Sequence, residues 1–419
     1  MHKFAHMSDC HLGFQKSKPL QEIEQNIFEK ILDECIEKKV DFILISGDLF
    51  HISLPEFRVQ RFAFKKFKEV YDAGIPIYVV YGSHDFNPVG NSLIELLSDV
   101  GYFTKVTKEQ DVSEGKISLE FFQDPSTKAK IVGLSGLTSG KDIEYYKDLN
   151  RKDLEKEKGF KIFLFHAGID ELKTKDDAMM DSMPASLLPR GFDYYAGGHV
   201  HTHSSENYEG YGIMMYSGTI FDGHSSDIEK NARGTKRGYV LVEFDDKIRN
   251  WEFIPIHNAK YELIEINAKG KSIATVNSEI SKKIEGIDPS DKIVIMKVRG
   301  ELISGKTTEI DFSKIKEELL KNGAIDVKIN NKQFTSKEYT ITPARGEGTE
   351  EIINNILKEN IGDIKLKQEE LLGESGFKIA QELLEVLGES KPSDESKNDY
   401  QRRIQKSALK ILRIESNAS

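Results

Sequence analysis

Two cysteines, Cys10 and Cys35, are all this chain has, too few for a disulfide framework. No apolar run approaches the ~20 residues needed to cross a bilayer, and the opening MHKFAHMSD lacks the apolar core of a secretory signal. These absences argue against a membrane protein and predict a cytoplasmic one. No segment recurs at a fixed period, which excludes a solenoid. Positive charge is also short. The chain has 59 Lys and Arg against 69 Asp and Glu, and the net charge of -10 disfavours a protein that grips a polyanion with its whole surface. A local basic patch around a cationic metal site is still compatible with that balance.

What the chain does have is a short apolar stretch running into Asp or His, five times within its first 201 residues. Asp9-Cys10-His11 follows KFAHMS, Gly47-Asp48 follows DFILIS, and Gly82-Ser83-His84-Asp85 follows IPIYVVY. His166 follows KIFLF, and Gly198-His199-Val200-His201 follows DYYAG. Seven of the 11 histidines (His11, His51, His84, His166, His199, His201 and His203) lie in or beside these turns. One Asp-x-His alone reads as an ordinary polar strand end. Five such ends read as ligands gathered where α/β sheets hold theirs, outside the carboxyl ends of the strands.

Carboxylate mixed with imidazole suits a borderline divalent ion such as Mn²⁺, Fe²⁺ or Zn²⁺, whereas Mg²⁺ and Ca²⁺ prefer oxygen alone. Asp9 and His11, two apart at a strand end, can turn to one side and share an ion. Asp48 is the natural bridge between two ions, and Gly47 permits the tight turn before it. His166, His199 and His201 supply neutral nitrogens. Two ions roughly 3.5–4 Å apart would polarise a phosphoryl oxygen and activate a bridging water, so phosphoester hydrolysis is expected. His84 is placed to protonate a leaving oxygen, with Asp85 to orient its ring. Cys10 and Cys35 are assigned to packing.

At 419 residues the chain exceeds what one core sustains, so several domains are expected. Strand-like runs at 3–8, 41–46, 76–81, 161–165 and 193–196, with helical segments such as IEQNIFEKILDECIEKK, give a βαβ pattern. From about residue 208, YGIMMYSGTIF, RGYVLVEF and NWEFIPI follow one another without helices, which predicts antiparallel strands in a second sheet packed on the first. An α/β domain over 1–257 results. Residues 258–343 read as a smaller α+β unit of β-α-β-β-α-β type, with helices near 272–284 and 312–321. Residues 344–419 are helical beyond Thr342-Pro343, from EEIINNILKEN onward, with a polar linker, ESKPSDESKND, before the last helix. In that helix Ile404, Ala408, Ile411 and Leu412 oppose Arg402, Arg403, Lys406, Lys410 and Arg413, a stripe that needs its own domain or, preferably, a partner protein to cover it.

DCHLGF, SGDLFH, YGSHDF, His166 and GGHVHTH, in this order on such a sheet, resemble the calcineurin-like metallophosphoesterases, and specifically the Mre-eleven (SbcD) DNA repair nucleases. The resemblance implies a two-sheet αββα sandwich, a capping domain over the site, and C-terminal helices that bind the coiled-coil base of a Rad-fifty (SbcC) ATPase. It also implies a manganese-dependent 3'-5' exonuclease and endonuclease of double-strand-break repair with two Mn²⁺ per subunit. One ion would be held by Asp9, His11, Asp48 and His201, the other by Asp48, residue 83, His166 and His199. His51 would position the phosphate, and His84 would protonate the leaving group.

One position departs from the family pattern. Where the family's GNHD places an Asn whose carbonyl oxygen binds the second ion, this chain has Ser83, whose hydroxyl reaches less far, so a looser second cation is expected. Lys16, Lys18, Arg58 and Arg61, close to the motifs, are the candidate contacts to a DNA backbone. A homodimer is also implied, with helices near 55–72 and 91–100 offering apolar faces. The competing expectations are a phosphatase or nucleotide phosphodiesterase of the same superfamily, and a scaffold whose metal site has decayed.

Overall fold

The first part of the chain winds as its periodicity predicts, through strand β1 (His2–Met7), helix α1 (Lys18–Glu37), β2 (Phe42–Ser46), α2 (Phe57–Asp72), β3 (Ile77–Val80), α3 (Leu93–Asp99) and β4 (Thr104–Lys105). A second series follows: β5 (Phe122–Gln123), β6 (Lys130–Leu134), β7 (Lys161–His166), β8 (Tyr194–Gly198), β9 (Ser204–Asn207) and β10 (Ile213–Tyr216). Helix α4 (Asp227–Ala232) then leads into β11 (Gly238–Phe244) and β12 (Ile248–Pro255). The computed structural model describes residues 1–87, 92–110, 116–136, 142–173, 180–224, 226–257, 259–336, 357, 373–390, 392, 395 and 397–412.

These strands form two six-stranded sheets, ordered β12-β11-β1-β2-β3-β4 and β9-β10-β8-β7-β6-β5. The expected sandwich is present, but the second sheet begins well before residue 208. Strands β7 and β8 belong to it, β10 pairs with β8 in parallel, and β11 and β12, antiparallel to each other as expected, join the first sheet beside β1 where the second was expected. The physical reason is burial on both faces, which makes a strand read alike in either sheet. Ile162 and Leu164 of β7 and Tyr194 and Ala196 of β8 meet Phe4, Phe42 and Leu44 in the core between the sheets. Their neighbours Phe163, Phe165 and Tyr195 face a separate outer cluster. Aromatic rings fix the seam: Phe4 stacks on Phe42 at 5.1 Å and meets Tyr194 edge-on at 5.1 Å.

Helices α1 and α2 cover the outer face of the first sheet with Ile27, Phe28, Ile31, Val59, Ala63 and Phe67. Cys10 and Cys35 are buried in the same cluster as free thiols, the packing role expected of them. One cation locks the helix pair: Lys66 Nζ, buried, lies 3.1 Å from Glu29, 2.9 Å from Asp33 and 2.6 Å from Glu69.

The accessory segment contains β13 (Lys260–Asn267), α5 (Ile273–Glu285), β14 (Lys292–Leu302), α6 (Phe312–Lys321) and β15 (Asp326–Ser336), with its three strands in sheet order. Strand β14 continues through Gly300 (φ 107°), and among the described residues the unit is β-α-β-α-β where the pattern suggested four strands. Ile293 and Ile295 of β14 share a hydrophobic cluster with Ile228 and Ile256. The chain divides into two compact units, Met1–Glu301 with Thr307–Phe334, and Leu302–Lys306 with Thr335–Ser419.

Within the second unit, α7 (Gly373–Gly388) pairs with α8 (Lys397–Ile411). Arg403 Nε donates to Glu395 Oε1 at 2.9 Å and the Tyr400 hydroxyl to the Glu389 carbonyl at 2.7 Å. Ile404, Ala408, Ile411 and Leu412 are half-buried, while Arg402, Lys406 and Lys410 are exposed. Thr342-Pro343, nearly all of EEIINNILKEN, and Arg413 lie outside the described residues. No described helix is long and apolar enough to cross a membrane.

Replacing Lys66 by Ala would leave three carboxylates facing one another without their shared cation, and a loss of about 1–3 kcal/mol in unfolding free energy is expected. Urea denaturation checks this, with Lys66→Arg recovering most of the loss.

Candidate metal centre

Four of the predicted ligands sit in left-handed backbone, Asp9 (φ 51°), His11 (φ 45°), Asp48 (φ 50°) and His199 (φ 85°). For residues other than glycine this costs about 1–3 kcal/mol each and persists only where the surroundings enforce it. Here a backbone zipper does so. Asp9 N–H donates to the Gly47 carbonyl (3.0 Å), His11 N–H to that of Asp48 (2.9 Å) and His51 N–H to that of Leu12 (3.1 Å).

Asp85 anchors the same loops. Its carboxylate accepts the N–H groups of Leu49 (3.1 Å), Phe50 (2.9 Å) and Gly82 (3.1 Å). The orienting role expected for it differs from this placement, because the His84 ring donates through Nδ1 to the His51 carbonyl instead (2.8 Å). Burial, then the charge of Asp48, pushes the Asp85 carboxyl up to about 7.

The side chains converge in overlapping groups. Ligand atoms of Asp9, His11 and His201 lie within 4.8 Å of one another, as do those of Asp9, Asp48 and His166. His11 Nε2 faces His201 Nε2 at 3.2 Å and Asp48 Oδ2 at 3.8 Å. His201 donates through Nδ1 to Asp227 Oδ2 (2.6 Å), which leaves Nε2 as the inward atom. His166 likewise donates through Nδ1 to the Ser46 carbonyl (2.8 Å) and turns Nε2 toward Asp48 Oδ2 at 3.2 Å. Lone-pair atoms at such distances need a proton or a cation between them. Three buried nitrogens, His11 Nδ1, His51 Nδ1 and His166 Nε2, also have no hydrogen-bond partner among the described residues. Of these, His166 Nε2 lies 3.2 Å from the Asp48 carboxylate, and an orphaned nitrogen there fits a divalent cation.

His199 contributes its N–H to both oxygens of Asp9 (3.0 and 3.1 Å), with its ring 5.4 Å from that of His166. Ser83 is half-buried in the turn between Gly82 and His84, whose N–H donates to Asp48 Oδ1 (2.8 Å). The His51 and His84 rings stack at 4.9 Å, and both approach His11, a cluster of three imidazoles at the edge of the centre. Lys16, Lys18, Arg58 and Arg61 are all exposed. Lys18 pairs loosely with Glu22 (3.9 Å), and Arg58 donates to Gln21 (3.4 Å).

The electrostatics follow the geometry. Burial opposes ionisation of Asp48, yet the adjoining His166 imidazole, helped by His11, holds its carboxyl well below the usual range. Burial also opposes charge on His166, but Asp48 and Asp9 outweigh it and push the ring up to about 10. His199 is drawn down to about 4 by burial and by the charge of His166. His166 and Asp48 thus form a buried pair of opposite charge at the position a divalent cation would take.

Several contributors carry no sequence signal. Asp227 and Arg237 lie beyond the last motif, and Glu24 sits inside α1. Glu24 accepts the N–H groups of Gly13 (2.8 Å) and Gln15 (3.4 Å), bracing the loop after His11, and burial pushes it up to about 8. Gly198 has a legible reason to be glycine, since a Cβ there would lie 1.9 Å from the Ser46 carbonyl oxygen and 2.7 Å from His166 Nδ1.

Residues 2–203 match the calcineurin-like phosphoesterase family. The chain therefore carries a calcineurin-like metallophosphoesterase domain, which binds divalent metal, and it is a metal-dependent phosphodiesterase. Curated relatives extend the likeness beyond that domain. The DNA double-strand break repair protein Mre11 of Archaeoglobus fulgidus is 24% identical over 96% of this chain and 94% of its own length. Proteins of the same name from Methanocaldococcus jannaschii (28% identical, 77% of this chain and 82% of that one) and Sulfurisphaera tokodaii (28%, 68% and 70%) are also similar.

Glu24 gives a pH test. Between its ordinary value of 4.5 and about 8 the folded protein keeps this carboxyl protonated while the unfolded chain has released the proton. The folded state binds more protons in that window, so this part of the stability is lost as pH rises through it. Urea unfolding of metal-free protein across pH 4.5–8 should show that decline, and Glu24→Gln should flatten it. Gly198→Ala should cost about 1–3 kcal/mol by overpacking, read as a lowered melting temperature, and should weaken divalent-cation binding at the His166 side.

Proposed function

We propose that this chain is the nuclease subunit of a DNA double-strand-break repair complex, a manganese-dependent 3'-5' exonuclease and endonuclease acting in the cytoplasm at the nucleoid. Asp48 carries the reading, a single carboxylate flanked by His11 at 3.8 Å and His166 at 3.2 Å, as a bridge between two cations requires. The names of the archaeal relatives supply the substrate, DNA with double-strand breaks. Asp9, His11, Asp48 and His201 would hold one Mn²⁺, and Asp48, Ser83, His166 and His199 the other. When bound, such ions polarise a phosphoryl oxygen and lower the pKa of a coordinated water.

The remaining steps fall to the chain itself. His84, whose Nδ1–H is held by the His51 carbonyl, would as the imidazolium carry a second proton on Nε2 and give it to the departing oxygen. His51, stacked on His84, would orient the phosphate. Asp85 serves by holding the loops that carry Asp48 and His84. Lys16, Lys18, Arg58 and Arg61 would grip phosphates with little regard for sequence. The accessory segment would cap the site, within domains of 1–257, 258–343 and 344–419. The C-terminal helices would dock on a Rad-fifty (SbcC)-type ATPase, and exposed Phe57, Tyr71, Leu96 and Val100 on α2, α3 and their ends would support a homodimer.

The test is cleavage of end-labelled linear duplex DNA with Mn²⁺. Wild-type chain should degrade it, and His84→Ala should lose about 10²–10⁴-fold in rate while keeping its fold and its cations. Hydrolysis of nucleotides or simple phosphate esters without DNA cleavage would favour the phosphatase alternative. Loss of every hydrolytic activity would favour the scaffold.

A further inference from the structure

We infer that the accessory sheet tunes cation binding at Asp9, His11 and His201 through helix α4, an inference that rests on those residues holding a cation. Two residues hold His201 from behind. Asp227, buried at the start of α4, accepts from the His201 ring at 2.6 Å, and Arg237 donates through Nη1 to the His201 carbonyl. Arg237, itself buried, also lies 3.3 Å from Asp227 Oδ1 and donates through Nε to Asn231 Oδ1 (2.5 Å). Ring and backbone of this ligand are thus both set by the 227–237 segment.

The other face of α4 belongs to the accessory sheet. Glu229 accepts from Lys297 of β14 at 2.6 Å, and Arg233 bridges Glu229 (3.1 Å) to Glu265 of β13 (2.6 Å). Asn231 reaches Tyr261 of β13 (3.5 Å), and Ile228 shares its hydrophobic cluster with Ile293 and Ile295. A shift of β13 and β14 therefore moves α4, and α4 carries the acceptor that orients His201. Asp227 and Arg237 act as positioning residues. Lys297 and Glu229 act at one further remove, which is where a partner pressing on the accessory sheet would exert its effect.

The experiment is calorimetric titration of the metal-free full-length chain with MnCl₂, alongside thermal melting. Lys297→Met and Glu229→Gln should each weaken one of the binding steps by about 3- to 10-fold and leave the other unchanged. Asp227→Asn should weaken the same step by about 10- to 100-fold. Arg249→Met and Asp245→Asn, which remove the same charges as Lys297→Met and Glu229→Gln from a surface pair at the β11–β12 turn, should change neither. Mn²⁺ affinity in Lys297→Met and Glu229→Gln equal to that of Arg249→Met and Asp245→Asn would overturn the coupling, whatever happens to their melting temperatures. A wild-type chain that binds no Mn²⁺ would instead remove the cation site on which the coupling rests.

Discussion

The centre is built around the buried carboxylate of Asp48, which cannot sit among His11, His166 and the N–H of His84 unless positive charge shares the space. Its left-handed backbone is strained, its position is braced by Asp85 across three peptide N–H groups, and its loop is zipped to that of Asp9 and His11. That strain is offset by the packing of the sandwich, whose inter-sheet core brings the ends of β1, β2 and β3 against those of β7 and β8. The fold matters to function in this one respect: three strand ends from one sheet and two from the other reach a single point.

Much of this was legible in the residues because the chemistry is local to strand ends. Asp9, His11, Asp48, His166, His199 and His201 each follow an apolar run directly, so a shift of one strand residue would turn them to the wrong face. The sandwich itself was legible through family resemblance, but the allotment of strands was not. KIFLF and DYYAG are buried on both sides, and nothing in their composition says which sheet they join. Asp85 was assigned to the chemistry because it adjoins His84 in sequence. The turn points it the other way, into backbone that needs a carboxylate to satisfy it.

Asp227, Arg237 and Glu24 could not be read in advance. They act by distance in space across gaps in sequence, Asp227 on His201 from 26 positions away and Glu24 on Gly13 from 11. Their residue types are common on surfaces, and burial alone sets them apart. The helix α4 has the same character, a six-residue element with little amphipathic signal that stands between a metal ligand and the accessory sheet.

The most direct test of the central claim is anomalous diffraction at the manganese edge from crystals grown with Mn²⁺. Two peaks are predicted on either side of the Asp48 carboxylate, one against His11 and His201 and a weaker one against His166 and His199, where Ser83 completes the shell less firmly. Density without anomalous signal at Asp48, or a lone ion bound away from it, would contradict the bridged pair.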